Sequence, residues 1–180
     1  MLLLDSVVKV VMNTKDDREV LLAIRASGDL VGELSVLDRG PRLASVVACG
    51  KIRVRIILRA ELDAFMRSEP DAAYEIGRML GGRLRWADER RADFIELSSL
   101  ARFARVLVEV ATTYGTESDN GHWDLGISLT KPEVGSLAGM KTRTAETQLK
   151  KLVKDGLVKT SYRGITLLDM AGLQRVARLV

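Results

Sequence analysis

The hydrophobic pattern of this chain changes period once. Up to about residue 58, apolar side chains come in short β-branched runs broken by turns. Residues 6–12 place valines on both sides of Lys9, residues 13–19 are polar, and residues 20–24 are apolar again, which predicts a hairpin. Ala26-Ser27-Gly28-Asp29 reads as a loop, Gly32-Glu33-Leu34 opens another short segment, and Asp38-Arg39-Gly40-Pro41 is a strong turn signal. Residues 45–48 and 53–58 return to β-branched composition. Several short strands with turns between them predict a small antiparallel barrel or sandwich.

From Glu61 the period becomes helical, with Leu62, Phe65 and Met66 on one side. Pro70 suits the first turn of a longer helix. Ile76, Leu80, Leu84, Ala87, Phe94 and Ile95 follow at spacings near three and four. Gly81-Gly82 interrupts this seam, and Arg91 falls where an apolar residue is expected. The glycine pair admits two readings, a weak point in the helix or a close approach of a partner helix. A long amphipathic helix attached to a small barrel predicts a dimer interface. Ser98 or Ser99 can cap the next helix. Its apolar stripe runs Leu100, Phe103, Ala104, Leu107, Val108, Ala111 and Tyr114 and ends at Gly115. Residues 116–126 are polar and read as a loop, with a solvated His122 beside Trp123.

The most specific local signal follows. Thr130-Lys131-Pro132-Glu133 is a capping box with a tolerated early proline. Val134, Leu137 and Ala138 give that helix an inner face, and Gly139 allows a sharp turn. A second helix carries Ala145, Leu149 and Leu152 inside and stops near Gly156. Its outer face holds Arg143, Thr144, Thr147, Lys150, Lys151 and Lys154. Residues 157–160 and 165–168 are short apolar strands around Ser161-Tyr162-Arg163-Gly164, so they predict a hairpin wing. Helix, turn, basic second helix and wing in this order are the unit that places a helix in the DNA major groove.

Composition and charge narrow the chemistry. The chain has 180 residues, of which 47% are hydrophobic and only 4% aromatic, so aliphatic side chains must supply the core. One cysteine, Cys49, cannot form an internal disulfide or hold a metal cluster, and one histidine excludes a paired-histidine motif. A non-enzymatic protein is therefore expected. The net charge of +4 is mild. Residues 127–163 contain eight basic and three acidic side chains, so this segment is +5 and the remainder is −1. No run approaches the roughly 18–20 apolar residues of a membrane span, and no secretory signal opens the chain. A cytoplasmic protein without membrane contact is expected.

The motifs together resemble the catabolite activator (CRP/FNR) family of bacterial transcription regulators. Residues 28–34, Gly-Asp-Leu-Val-Gly-Glu-Leu, and residues 40–48, Gly-Pro-Arg-Leu-Ala-Ser-Val-Val-Ala, resemble the phosphate-binding cassette of its cyclic-nucleotide domain. Residues 129–169 resemble its winged helix-turn-helix. The implied fold is α+β: a partial antiparallel β-roll over 1–69, a connector and dimerisation helix over 70–97, and a winged helix-turn-helix over 98–180. A short helix opening at Gly32 would offer backbone amides to a phosphate. By resemblance, Glu33 would bond the ribose hydroxyl, Arg42 would meet the cyclic phosphate, and Gly32, Leu34, Leu43 and Trp86 would complete the ligand site.

The chain departs from the family at several positions. Leu43 stands where nucleotide-binding members usually carry Ser or Thr, and Ser45 shares its face if the segment is a strand. An ungapped match places Arg85 and Trp86 where cyclic-AMP-responsive members contact the base. No cofactor is required, and cyclic AMP is a candidate effector. At the recognition helix, Lys141-Thr142-Arg143-Thr144 and Thr147 stand where the family shows Ser-Arg-Glu-Thr and a later Arg. Arg143 can pair with guanine, whereas Thr130, Lys141, Lys150 and Arg163 suit phosphates. A changed or relaxed base preference is expected. The segment matched by residues 2–12 is normally preceded by a helix and several strands, so the sensor part is expected to be short, with open edges. The implied partners are double-stranded DNA, a second copy and RNA polymerase. Two readings of the sensor part stay open: control by a cyclic nucleotide or related small effector, or ligand-independent DNA binding with the sensor serving only dimerisation.

Overall fold

The computed structural model describes residues 1–15, 18–161 and 164–179. Arg163, placed at the wing tip by the sequence pattern, lies outside the described residues. The contacts divide the chain into two compact units, residues 1–13 with 23–92, and residues 14–22 with 93–180.

In the first unit β1 (Leu2–Asp5) pairs antiparallel with β5 (Arg53–Arg55). A second sheet has β2 (Val7–Asn13) between β3 (Glu19–Ala26), which the unit division crosses, and β4 (Ser45–Ala48). Val8 lies opposite Ala48, and Val10 opposite Val46. Leu3, Val8 and Val31 form a small aliphatic core, with Met1, Val46 and Val54 packed on it. The β-branched run over 53–58 is only half strand. Its last residue turns away because the Leu58 amide donates to Glu61 Oε2 at 2.7 Å, which opens α2 (Arg59–Ser68). The segment after Gly32 forms a single turn, α1 (Leu34–Leu37), which begins two residues after the glycine.

The long helix α3 (Pro70–Glu96) has 27 residues and runs unbroken through Gly81-Gly82. Its only buried residue is Asp93. The apolar seam expected for a partner helix is uncovered within the chain, with Leu84 63% and Ile95 88% exposed. No helix among the described residues is long and apolar enough to cross a membrane.

The second unit is built on α4 (Ser99–Tyr114). The Ser98 hydroxyl accepts from the Ala101 amide at 3.2 Å and caps it. Phe103, Ala104, Leu107, Val108 and Ala111 are buried as their stripe requires, and Ala101, Val106 and Val110 are buried as well. A helix apolar over so much of its circumference belongs inside a bundle. Around it pack α5 (Lys131–Leu137), α6 (Thr142–Lys154) and α7 (Met170–Val176). The pattern does not predict α7, which is only seven residues long with a glycine inside. Asp169 caps it by accepting from the Gly172 amide at 2.8 Å. The wing strands β7 (Val158–Ser161) and β8 (Gly164–Leu167) pair antiparallel. Residues 116–126, expected as a loop, also contribute β6 (Trp123–Asp124), which pairs with β8. Cross-strand pairing, invisible in a two-residue segment set in a polar stretch, decides that difference.

Asp93 belongs to this unit. Its Oδ1 accepts from Arg105 Nη1 of α4 at 2.6 Å. This contact ties the end of α3 to the helix that follows.

Leu152 is fully buried on α6, whereas its neighbour Val153 is 41% exposed. Leu152→Ala is expected to cost about 2–5 kcal/mol in urea unfolding, and Val153→Ala within about 0.5 kcal/mol. Equal losses at the two positions would contradict the assigned faces.

Candidate functional site

A cavity of about 810 Å³ opens in the first unit. Gly32, Glu33, Leu34, Arg42 and Leu43 all line it, together with Ile56 and Ile57 and with Leu80, Arg83 and Leu84 of α3. The cassette residues singled out from sequence are thus brought together. Trp86 is not in the wall. It lies two residues past Leu84, about 200° around the helix, and the Arg90 guanidinium sits 5.2 Å over its ring.

Two local constraints shape the cassette. Gly32 adopts φ +76°, a backbone conformation that costs glycine little. Arg42 Nη1 donates to the Gly32 carbonyl at 2.6 Å, and a Cβ at position 32 would collide with that guanidinium. Glu33 precedes the single turn α1 without a side-chain capping bond and is only 5% exposed. Its carboxylate is not open to a ligand on all sides: Oε1 accepts from Arg83 Nη1 at 2.5 Å. Arg83 Nη2 also donates to Asp29 Oδ1 at 2.9 Å and to the Leu30 carbonyl at 2.8 Å. The α-amino group of Met1, another lining residue, donates to the Val31 carbonyl at 3.0 Å. Burial, and then the charge of Arg42, hold its pKa below the ordinary value, with Glu33 opposing.

The second site is the exposed face of the helix-turn-helix. Both arms of the capping box form: Thr130 Oγ1 accepts the Glu133 amide at 3.4 Å, and Glu133 Oε2 accepts the Thr130 amide at 2.7 Å. Gly139 then turns the chain at φ +62°. The Phe94 ring lies against Gly139, and the Arg102 guanidinium stacks 5.0 Å over that ring. Arg102 also donates to the carbonyls of Ala138, at 3.3 Å, and Leu97, at 3.0 Å. The turn is therefore held from below. On α6, Ala145, Gln148, Leu149 and Leu152 are buried at spacings of three, one and three. That stripe leaves Lys141, Thr142, Arg143, Thr147 and Lys150 exposed, with Thr144 half-buried at its edge. The Thr147 hydroxyl donates to the Arg143 carbonyl at 2.9 Å, so its proton is engaged within the helix.

Two family models match the chain. Residues 1–69 match the cyclic nucleotide-binding domain, and residues 101–176 match the Crp-like helix-turn-helix domain. The chain belongs to the CRP/FNR family of transcription regulators. It is similar to a CRP-like cAMP-activated global transcriptional regulator of Mycobacterium tuberculosis, at 29% identity over 171 residues, covering 95% of this chain and 76% of that protein. It is also 29% identical over 160 residues to a cyclic AMP receptor protein of Thermus thermophilus, covering 89% of this chain and 70% of that one. Among solved structures, a CRP/FNR-family transcriptional regulator of Thermus thermophilus superposes with a TM-score of 0.82 at 19% identity, covering 98% of this chain and 86% of the other. FixK2 of Bradyrhizobium japonicum superposes at 0.75 with 21% identity, covering 97% and 85%. These structural likenesses concern the fold.

For this CRP/FNR-family chain, sequence reasoning overlooked Arg83. The signal was present, because Arg83 shares a helix face with Leu80 and Leu84. Its partners lie 50 and 54 residues away in sequence, so only the fold could name them. Removing one member of a buried ion pair leaves the other charge uncompensated. Arg83→Met is expected to cost about 3–5 kcal/mol in urea unfolding. Adding Glu33→Leu to it should recover part of that loss in a double-mutant cycle. Strict additivity of the two substitutions would show that the pair is not coupled.

Proposed function

We propose that this regulator acts as a homodimer that binds double-stranded DNA through α6, under control of a small effector in the cassette cavity. The observation that carries DNA binding is the exposed basic face of α6, set directly opposite its buried stripe. In this reading Arg143 pairs bidentately with guanine, and Thr142, Thr144 and Thr147 lie near base edges. Thr130, Lys141, Lys150 and the wing's Arg163 neutralise phosphates and set the register. The connector α3 supplies the dimer contact, supported by the exposure of Leu84 and Ile95 in the isolated chain. Two copies then address two half-sites about one helical turn apart.

Effector control is supported by a formed cavity with Arg42 on its wall. The relatives described as cAMP-activated make a cyclic nucleotide or a related anion the candidate class. A bound effector would act through α3 on the placement of the two units, and the DNA-bound dimer would present the surface that RNA polymerase reads. A second reading has its own support. Glu33 is already satisfied by Arg83 within the chain, which suits a sensor unit that works without ligand.

Selection of bound duplexes from a random pool, with and without cyclic AMP, separates these readings. Binding should weaken steeply with salt, because phosphate contacts release counterions. Lys150→Ala is expected to weaken all sequences about equally and to reduce the salt slope by about 0.9. Arg143→Ala should instead cost about 1–3 kcal/mol of discrimination at one base position. A dimer with no salt-dependent duplex binding would remove the DNA-binding proposal. Binding unaffected by any small anion would leave the ligand-independent reading.

A further inference from the structure

We infer that Thr147 reads a thymine methyl in the bound DNA, so that with Arg143 it selects a guanine and a thymine one or two base pairs apart. This inference rests on the DNA-binding reading above and adds a specificity-determining residue to it.

The three threonines of α6 are not equivalent. The Thr147 hydroxyl donates its one proton to the Arg143 carbonyl at 2.9 Å. Among the described residues, the hydroxyls of Thr142 and Thr144 make no hydrogen bond. Thr144 is half-buried, whereas Thr147 is exposed. Thr147 also lies only about 40° around the helix from Arg143, and Thr142 about 100° from it. Thr147 is therefore the threonine that shares the side of the proposed guanine reader.

Its hydrogen bond limits what it can recognise. Phosphate oxygens, guanine O6 and N7, and thymine O4 are all acceptors and need a donor. The Thr147 proton is already committed to the preceding turn. Redirecting it to the DNA would exchange one hydrogen bond for another and gain little. The γ-methyl carries no such tie. It occupies another staggered position on the same carbon and is fixed there as long as the hydroxyl is bonded. An exposed methyl held in one rotamer loses little freedom on binding and gains by leaving water. Its complement in the major groove is the 5-methyl group of thymine.

Helix spacing sets the register. Residues four apart on a helix have Cβ atoms about 5–6 Å apart, and successive bases of a strand are about 3.4 Å apart. With Arg143 on a guanine, Thr147 meets a base one or two pairs away. The remaining lone pairs of its oxygen would suit an amine of cytosine or adenine instead, and the test separates that case.

The test uses the full chain and the duplexes it selects from a random pool. A thymine should recur one or two pairs from the guanine whose preference is lost in Arg143→Ala. Replacing that thymine by uracil keeps the base pair, removes only the 5-methyl group, and should weaken binding about fourfold. Thr147→Ser keeps the hydroxyl and should bind the thymine and uracil duplexes equally. Thr147→Val keeps a methyl and should still prefer thymine. A purely structural part for Thr147 would instead weaken both duplexes alike. Equal binding of the two duplexes by the wild-type chain overturns the inference, and this comparison stands even if a variant fails to fold. Recovery of cytosine or adenine in place of the thymine, with discrimination kept by Thr147→Ser and lost by Thr147→Val, overturns it in favour of the oxygen. Either result leaves DNA binding standing. Absence of salt-dependent duplex binding, by contrast, removes the proposed function itself.

Discussion

The Arg83–Glu33 ion pair is the contact on which the first unit is organised. The unit's aliphatic core is small, centred on Leu3, Val8 and Val31, and α3 adds no buried apolar side chain to it. A helix of that length gains little from propensity alone and must be held by tertiary contacts. Arg83 does the holding, with Glu33, Asp29 and the Leu30 carbonyl as partners. Buried ion pairs add little net stability, because desolvation offsets the attraction, but they tolerate few alternative arrangements. The same pair places α3 against the cassette and so creates the third wall of the cavity.

The last turn of α3 follows the same logic. Asp93 is buried and meets Arg105, and one residue later Phe94 lies on the turn of the helix-turn-helix beneath Arg102. The last turn of α3 is thus packed into the DNA-binding unit by a charge pair and a cation–π stack. Of the apolar side chains of the helix, Leu84 and Ile95 stay exposed, and Ile76 and Leu80 are half-buried. Polar contacts therefore hold the helix at its midpoint, through Arg83, and at its last turn, through Asp93.

Legibility differed by element for physical reasons. The helix-turn-helix could be read almost residue by residue, because its determinants are local. The Thr130–Glu133 box, the Gly139 turn and the buried stripe Ala145, Leu149 and Leu152 all lie within one or two helical turns of their partners. The cassette was legible as a motif and less so as a geometry. The segment after Gly32 supports one helical turn, and the carboxylate of Glu33 is claimed by a residue 50 positions on. Trp86 looked like a cavity residue by linear matching, but its angle around α3 takes it off the wall.

The amino-acid sequence by itself determined the order of elements, the capped basic helix and the family to which the chain belongs. These follow from periodicity, capping and turn chemistry, all of which act over a few residues. The tertiary structure alone decided that α3 buries no apolar face, that β6 joins the wing sheet, and that Arg83 rather than Trp86 stands at the cavity. Each of those outcomes depends on which distant segments meet, and pairing across 40 or more residues leaves no local trace in composition.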